Sequence, residues 1–219
     1  NPVYQRTVAG DPEPRRLIWE RPLLWTRIAS LDGVEMHILN VHFKSKLATP
    51  ADNLMADRYT WTTAAGWAEG FFVSSMKRVG AALEARAVID FIFGADPDAL
   101  ILIAGDLNAN SDEVPVMALR GRTEDTGNGA LGHRVMMPLE NNVPESSRYT
   151  LFHHGRGEMI DHILASRGLV QAFSHAEIHN EILPDASVAF AGDNKPPESD
   201  HAPVVAAFHD DLLKPHPMV

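Results

Sequence analysis

The sequence predicts an α+β domain. Short apolar runs of strand length alternate with segments of helical periodicity, but without the strict strand–helix–strand repeat of a parallel α/β fold. Two observations carry this expectation. Four apolar runs stop or start on chemically versatile polar residues, at His42, Asp106/Asn108, Asp161 and Asp200/His201, and one long segment, Ser74 to Phe93, keeps apolar residues at helical spacing. A third observation bounds the size: 219 residues with 45% hydrophobic content are enough for one globular body with a sizeable core, so residues 1–219 are expected to form a single domain.

Taken in order, residues 2–16 are rich in Pro and Arg and are expected to be irregular. Leu23 to Ser30 and Val34 to His42 read as strands joined by Leu31-Asp32-Gly33, because Asp-Gly between apolar runs is a hairpin signal. Residues 44–73 read as a long connection carrying Trp61, Trp67, Phe71 and Phe72, whose rings could form a lid but are expected to pack as a small helical subcore. Ser74 or Ser75 would cap a helix running to about Phe93, with Met76, Gly80, Leu83, Ala87 and Phe91 on one face and Gly94 and Pro97 ending it. Ala99 to Ala104 is a strand, Glu113 to Arg120 a short helix, and 121–148 a loop rich in Gly, Asn and Glu. Tyr149 to Phe152, Met159 to Ala165, Ala176 to Ile182 and Ala202 to Phe208 complete the strands, and the Lys214-Pro215-His216-Pro217 tail is expected to be loose.

The polar strand ends carry the chemistry. The run Ile101-Leu102-Ile103-Ala104 stops on Gly105-Asp106-Leu107-Asn108. Side chains two apart on an extended chain point the same way, so Asp106 and Asn108 would sit together at the sheet's rim. That pair suits a divalent cation, a water or phosphate oxygens, and it equally suits a strand cap followed by an Asx turn. Asp200 beside His201 pairs an acceptor with a titratable imidazole, the material of acid–base or metal chemistry, or else of a turn cap. Asp161 occupies a strand position where an apolar residue is expected; facing inward, it would need a partner. Met36, Ile38, Asn40 and His42 share one strand face, which ends in His42 and is followed by Lys44 and Lys46.

These segments resemble, in order, the motifs of the endonuclease/exonuclease/phosphatase superfamily, the deoxyribonuclease I-like fold, in its bacterial form. Asn40-Val41-His42-Phe43-Lys44-Ser45-Lys46 is similar to its strand-end histidine motif and Gly105-Asp106-Leu107-Asn108 to its GDxN motif. Ile160-Asp161-His162-Ile163 is similar to its I-D-x-I segment, and Ser199-Asp200-His201-Ala202-Pro203-Val204 to its closing SDHxPV. The resemblance implies two packed β-sheets flanked by helices, a four-layer sandwich with the site where strand ends converge. It also implies a metal-dependent phosphoesterase using Mg²⁺ or Mn²⁺. In that reading Asp106 aligns or deprotonates the attacking water, and Asn108 binds a phosphoryl oxygen or the water. His42 donates to a phosphate oxygen, and His201 stabilises phosphate charge with its tautomer fixed by Asp161. Asp200, with Asp106 and Asn108, stands on the metal side, and Lys44 and Lys46 attract the substrate. The sequence departs from the pattern in one respect: no strand-borne Asn and strand-end Glu precede the His42 motif, Glu13 and Glu20 lying in Pro- and Arg-rich sequence. The chain is therefore expected to be the later part of a longer domain.

Composition narrows the alternatives. A net charge of −10 argues against a nonspecific nucleic-acid coat protein, but a local patch drawn from Lys44, Lys46, Arg58, Lys77 and Arg78 could still recruit phosphate. Zero cysteines exclude a disulfide framework, a zinc ribbon and a thiol nucleophile. No apolar run is long enough to span a bilayer, so stable membrane insertion is not expected; the compartment and any protein partner stay open. A zinc hydrolase built on His153, Asp161 and a distant histidine lacks HExxH-type spacing, and His175/His179 share at most a face. His162 is expected to point away from Asp161 as a packed or surface residue. A non-catalytic phosphate- or partner-binding domain on the same fold is the alternative reading, and the substrate, with nucleic acid among the candidates beside phospholipids and soluble phosphate esters, is not legible.

Overall fold

The structure is a computed structural model that describes residues 5–6, 13, 15–16, 18–30, 33–51, 54–192 and 196–213. Most of the irregular stretch expected over 2–16, the Leu31-Asp32 half of the expected turn, and the tail from Lys214 lie outside the described residues.

A two-residue pair, β1 (Gln5–Arg6) and β2 (Arg15–Arg16), precedes the main body. There follow β3 (Leu24–Ala29), β4 (Glu35–His42), α1 (Ala64–Ala95), β5 (Leu100–Asp106), α2 (Val114–Arg120), α3 (Thr123–Thr126) and β6 (Met137–Pro138). The chain continues through β7 (Leu151–His153), β8 (Arg156–Glu158), β9 (Asp161–Ala165), α4 (Arg167–Ala172), β10 (Phe173–Ile178), α5 (Ala186–Ala189) and β11 (Val204–Phe208). The principal sheet runs β3-β4-β5-β9-β6, with β4 and β5 parallel and the other neighbours antiparallel. β10 and β11 form a second, antiparallel pair.

Alternation along the strands explains the layering. Leu39 and Val41 of β4, Ile101 and Ile103 of β5 and Leu164 of β9 bury one face of the sheet against Ala82, Ala85, Ile89, Ile92 and Phe93 of α1. The opposite face, with Met36, Leu100, Leu102 and Ile163, packs with Leu139, Ala165 and Leu169 against Phe173, Ala206 and Phe208 of the β10–β11 pair. Helix, sheet and second sheet stack as an α+β sandwich, the fold class read from the sequence.

The helix departs from expectation in both start and face. α1 begins at Ala64, capped by Thr63, whose side chain accepts from the Gly66 amide, so Ser74 and Ser75 lie inside it. The stripe of Met76, Gly80, Leu83, Ala87 and Phe91 is not the core face: Phe91 is 68% exposed, whereas Ser74, Arg78, Ala82, Ala85, Ile89 and Ile92 are buried. The cause is polar packing. Ser74 Oγ donates to the Leu47 carbonyl at 2.5 Å and pairs with Thr49 Oγ1, and Arg78 Nη1 donates to the carbonyls of Lys44 and Ser45 at 3.2 and 3.1 Å. The inner face of the helix thus grips the segment that leaves His42, a job for hydrogen-bonding groups that apolar periodicity does not count. Trp61 packs closely over Gly70, where a Cβ would come within 2.5 Å of its ring, while Trp67 and Phe71 stack on each other on the exposed side. Residues 121–148 hold α3, β6 and the 3-10 turns Gly129–Arg134, Leu139–Asn142 and Glu145–Ser147 instead of a plain loop.

Candidate active site

β4 and β5 run parallel and end together, and antiparallel β9 begins at the same rim. The register aligns His42 with Asp106 and Asp106 with Asp161, so three polar residues form one row across three strands. All three are on the face that looks toward β10–β11, and His201 comes into reach from the segment leading into β11.

Gly105, opposite Val41, is required by the close approach of β4 and β5 at the rim. Its φ is +146°, and a Cβ there would lie 1.8 Å from the Val41 carbonyl oxygen. Beyond Asp106 the chain turns through Asn108 at φ 48°, a left-handed conformation that Asn tolerates better than most residues. The turn is closed by Asp106 itself, whose Oδ1 accepts from the Asn108 amide at 2.8 Å. Asn108 Nδ2 donates to Asp106 Oδ2 at 2.8 Å and to the Phe43 carbonyl at 3.2 Å, so its amide oxygen is the end left for a ligand. The carboxylate–carboxamide pair and the Asx turn, alternatives in the sequence, coexist.

Asp106 Oδ2 also lies 3.3 Å from His42 Nε2. Burial pushes the Asp106 carboxyl above the usual carboxylate range; the nearby Asp161 charge adds to the rise, while the Asn108 amide and the two imidazoles oppose it. Burial lowers His42 below the ordinary imidazole value, and the charges of Arg21 and His201 act the same way. Asp161 Oδ2 accepts from His201 Nδ1 at 2.8 Å; because a carboxylate only accepts, the proton sits on Nδ1 and Nε2 is free to face a ligand. That hydrogen bond leads in raising the His201 pKa; partial burial opposes it, and the charges of Asp161, Asp106 and Asp200 add to the rise. Behind the pair, buried Thr150 accepts through Oγ1 from the Asp161 amide, and its carbonyl accepts from the Ala202 amide, tying both motifs to one residue.

Carboxylate oxygens of Asp106 and Asp161 and a ring nitrogen of His201 lie within 4.8 Å of one another; with the His201 Nδ1 proton donated to Asp161, the two carboxylates are the pair of this trio suited to a cation. Asp200 falls outside this trio among the described residues, although its charge reaches His201. The two lysines are occupied by acids. Lys44 Nζ lies 3.9 Å from Glu20 and donates to Ser45, and Lys46 Nζ is bracketed by Glu113 at 3.2 Å and Glu158 at 3.1 Å. Lys77 pairs with Glu20, Arg78 is buried on carbonyls, and Arg58 covers Tyr59, so the five cations do not make one open basic patch. One cation beside the rim carries no motif in the sequence. Arg21 is exposed, donates through Nη1 to the Phe43 carbonyl at 3.1 Å, and acts electrostatically on His42. Its signal was an Arg-Pro just before an apolar strand.

The sequence profile of the Endonuclease/Exonuclease/phosphatase family matches residues 18–201, most of the chain, taking in the first three motifs and the Ser199-Asp200-His201 start of the fourth. The chain belongs to this family. Structures similar to it include a 3' phosphatase, NExo, from Neisseria, at 17% identity with a TM-score of 0.46 over 94% of this chain and 70% of that one. Another is an endonuclease/exonuclease/phosphatase family protein from Bacteroides thetaiotaomicron, at 16% identity with a TM-score of 0.48 over 83% of this chain and 52% of that one. A humanized D. rerio TDP2 matches at 15% identity and a TM-score of 0.47, over 95% of this chain and 66% of that one. The chain thus spans 52% to 70% of the length of these proteins. A comparison with curated proteins finds no match.

The family uses divalent cations, and the donors here suit one. Hard cations such as Mg²⁺ take carboxylate and carbonyl oxygens and commonly need only one or two carboxylates, keeping other positions for water and phosphate. Asp106 and Asp161 supply carboxylates and Asn108 a carboxamide oxygen. Among the described residues the histidine sets raised for zinc do not assemble: His175 and His179 pair with Glu177 on the surface, and the His153 and His154 rings contact each other. His162 points away from Asp161, and of the packed and surface alternatives it is the packed one, fully buried against Glu140.

Proposed function

We propose that this chain is the catalytic portion of a divalent-metal-dependent phosphoesterase that hydrolyses phosphate mono- or diesters. The observation that carries the reading is the single cross-strand row His42–Asp106–Asp161 with His201 locked onto Asp161. A phosphoester resists attack because water is a weak nucleophile and the phosphate is already anionic. Hydrolysis therefore needs an oriented water, positive charge on the phosphoryl oxygens and support for the leaving alkoxide.

Each residue meets one of these needs. Asp106, partly buried with an elevated pKa, is the acceptor that orients or deprotonates the water. Asn108, anchored through its amide nitrogen, offers its oxygen to the water or cation. His42 and Arg21 line the side where phosphoryl oxygens would lie, and His201, held protonated on Nδ1, presents Nε2 to the developing charge. Asp161 sets the tautomer of His201 and, with Asp106, would hold Mg²⁺ or Mn²⁺, which supplies charge neutralisation and lowers the pKa of bound water. Asp200 stands near enough to add negative charge behind His201. Nucleic acid, phospholipid and soluble phosphate esters are all admissible substrates.

The test is turnover of bis-p-nitrophenyl phosphate, DNA, RNA and phospholipid with Mg²⁺ or Mn²⁺. Asp106→Asn is expected to lower turnover by at least about 100-fold with an unchanged melting curve, and chelation to abolish it reversibly. Undiminished turnover in either arm overturns the assignment; phosphate binding without turnover of any substrate points instead to a binding domain.

A further inference from the structure

Behind the rim lies a buried polar pair that the proposed chemistry does not use. His162 follows Asp161 in β9, and its ring projects to the α1 side of the sheet, where it is 1% exposed. Nδ1 lies 2.6 Å from Glu140 Oε1, and the Glu140 side chain is also fully buried. Nε2 lies 2.9 Å from the carbonyl of Ala109. A carbonyl can only accept, so Nε2 carries a proton and donates it to Ala109. Glu140 is itself oriented by the Ile163 amide, which donates to Oε2 at 3.4 Å.

Ala109 is the residue after Asn108, whose left-handed backbone has to be held by its surroundings. The turn is fixed before Asn108 by the Leu107 amide on the Ile160 carbonyl at 2.8 Å, and after it by Asn110, whose Oδ1 accepts from the Met159 amide at 3.0 Å. The Asn110 main chain is held as well, its amide donating to Glu113 Oε2 at 2.8 Å and its carbonyl accepting from the Glu113 amide at 2.9 Å; the Ala109 carbonyl, immediately after Asn108, is held by His162. An apolar pair of similar volume would fill the same space with equal or better stability, since buried ion pairs are costly to desolvate. It could not fix the direction of the Ala109 carbonyl.

We propose that His162, oriented by Glu140, is a positioning residue that holds the Asp106–Asn108 turn in its reactive geometry through the Ala109 carbonyl. The inference rests on the hydrolytic reading of the site. His162 touches neither substrate nor cation; it acts through Asn108.

Two substitutions separate the bonds. In His162→Asn the side-chain amide reaches the Nδ1 position, keeping Glu140 partnered and losing Ala109. In His162→Gln it reaches the Nε2 position, keeping Ala109 and losing Glu140. Three quantities are measured in the full chain: kcat and KM on bis-p-nitrophenyl phosphate, the melting temperature, and the Asn108 side-chain amide resonance in ¹⁵N-labelled protein, assigned by its loss in Asn108→Ser. H162N is expected to lose about 10- to 100-fold in kcat at nearly constant KM, as misplacing reacting groups by about 1 Å does, with a displaced Asn108 resonance. H162Q is expected to stay within about threefold of the wild-type kcat with the resonance in place, although it is the variant that strands a buried carboxylate and melts lower. If kcat follows melting temperature, or if H162N keeps both wild-type kcat and the wild-type Asn108 resonance, the proposal is overturned. Should H162Q fail to fold, E140Q combined with H162Q removes the stranded charge and is held to the same expectations. Should the wild-type chain hydrolyse nothing, the hydrolytic reading fails, and the Asn108 resonance alone decides the positional claim: displaced in H162N and unmoved in H162Q supports it, unmoved in both overturns it.

Discussion

At the Asp161–His201 contact, one side chain sets the protonation of another. The hydrogen bond from Nδ1 to Asp161 leads the causes that raise the His201 pKa, so the imidazolium survives to higher pH than a free histidine would allow. Asp106 is shifted upward as well, led by burial, so the carboxylate needed as acceptor is protonated at a pH above the ordinary carboxylate range. A rate that needs Asp106 ionised and His201 charged therefore rises with pH through the elevated Asp106 value and falls through the elevated His201 value. Replacing Asp161 with Asn removes the leading cause of the His201 shift, and the alkaline limb of kcat/KM is expected to move to lower pH while the acid limb, if it moves at all, moves the same way. The linked stability has the same sign. The Asp161–His201 pair stabilises the fold fully below the pKa of unfolded histidine, and that contribution is lost as pH rises through the raised folded value. A pH–rate profile of Asp161→Asn against wild type, with metal saturating at each pH, checks this; an unmoved alkaline limb would assign that limb to another group.

The elements that carry the site were legible because strand geometry and polar chemistry give independent signals. An apolar run such as Ile101 to Ala104 has to be buried, and the Asp and Asn at its end then stand out against it. What could not be read was whatever depended on polar groups inside the core. Gly66 and Gly70 are poor helix formers, so the first turns of α1 looked like connection, and Ser74 and Arg78 hid its buried face because they bond to the carbonyls of residues 44 to 47. Glu140 lay in sequence that resembled a loop, with nothing to announce its pairing with a histidine in a strand. The close approach of β4 and β5 at Val41 and Gly105 is the feature on which the rim depends most directly. Gly105→Ala would put a Cβ against the Val41 carbonyl at a positive φ. It is expected to cost about 2–5 kcal/mol, the sum of backbone strain and overpacking, with turnover falling further than folded fraction because His42 and Asp106 are displaced together. Urea unfolding of this variant measures the cost, and a loss under about 0.5 kcal/mol, typical of a neutral surface change, would mean the strands separate easily there.

Over the whole molecule, the charge of −10 and the pairing of the rim lysines pull in one direction. Glu20 is shared by Lys44 and Lys77, and Glu113 and Glu158 bracket Lys46, so cations that would otherwise draw a polyanion toward the rim are neutralised locally. Arg21, His42 and His201 remain to act at short range. An extended nucleic acid reaching this rim is a polyanion approaching a chain of net charge −10, and repulsion between net like charges slows encounter most when screening is weak. The Debye length shrinks from about 30 Å at 0.01 M to about 8 Å at 0.15 M salt, which removes the long-range repulsion and leaves contacts within the row largely intact. Adding monovalent salt over that range, at fixed free Mg²⁺, is therefore expected to raise kcat/KM for an oligonucleotide and to leave bis-p-nitrophenyl phosphate nearly unchanged. A protein with a basic footprint behaves oppositely, losing affinity steeply as each phosphate contact releases its counterions. If kcat/KM for the oligonucleotide instead falls about tenfold or more, cations outside the neutralised lysines are reaching the phosphates, and the charge pairing seen around Lys44 and Lys46 is rearranged when substrate binds.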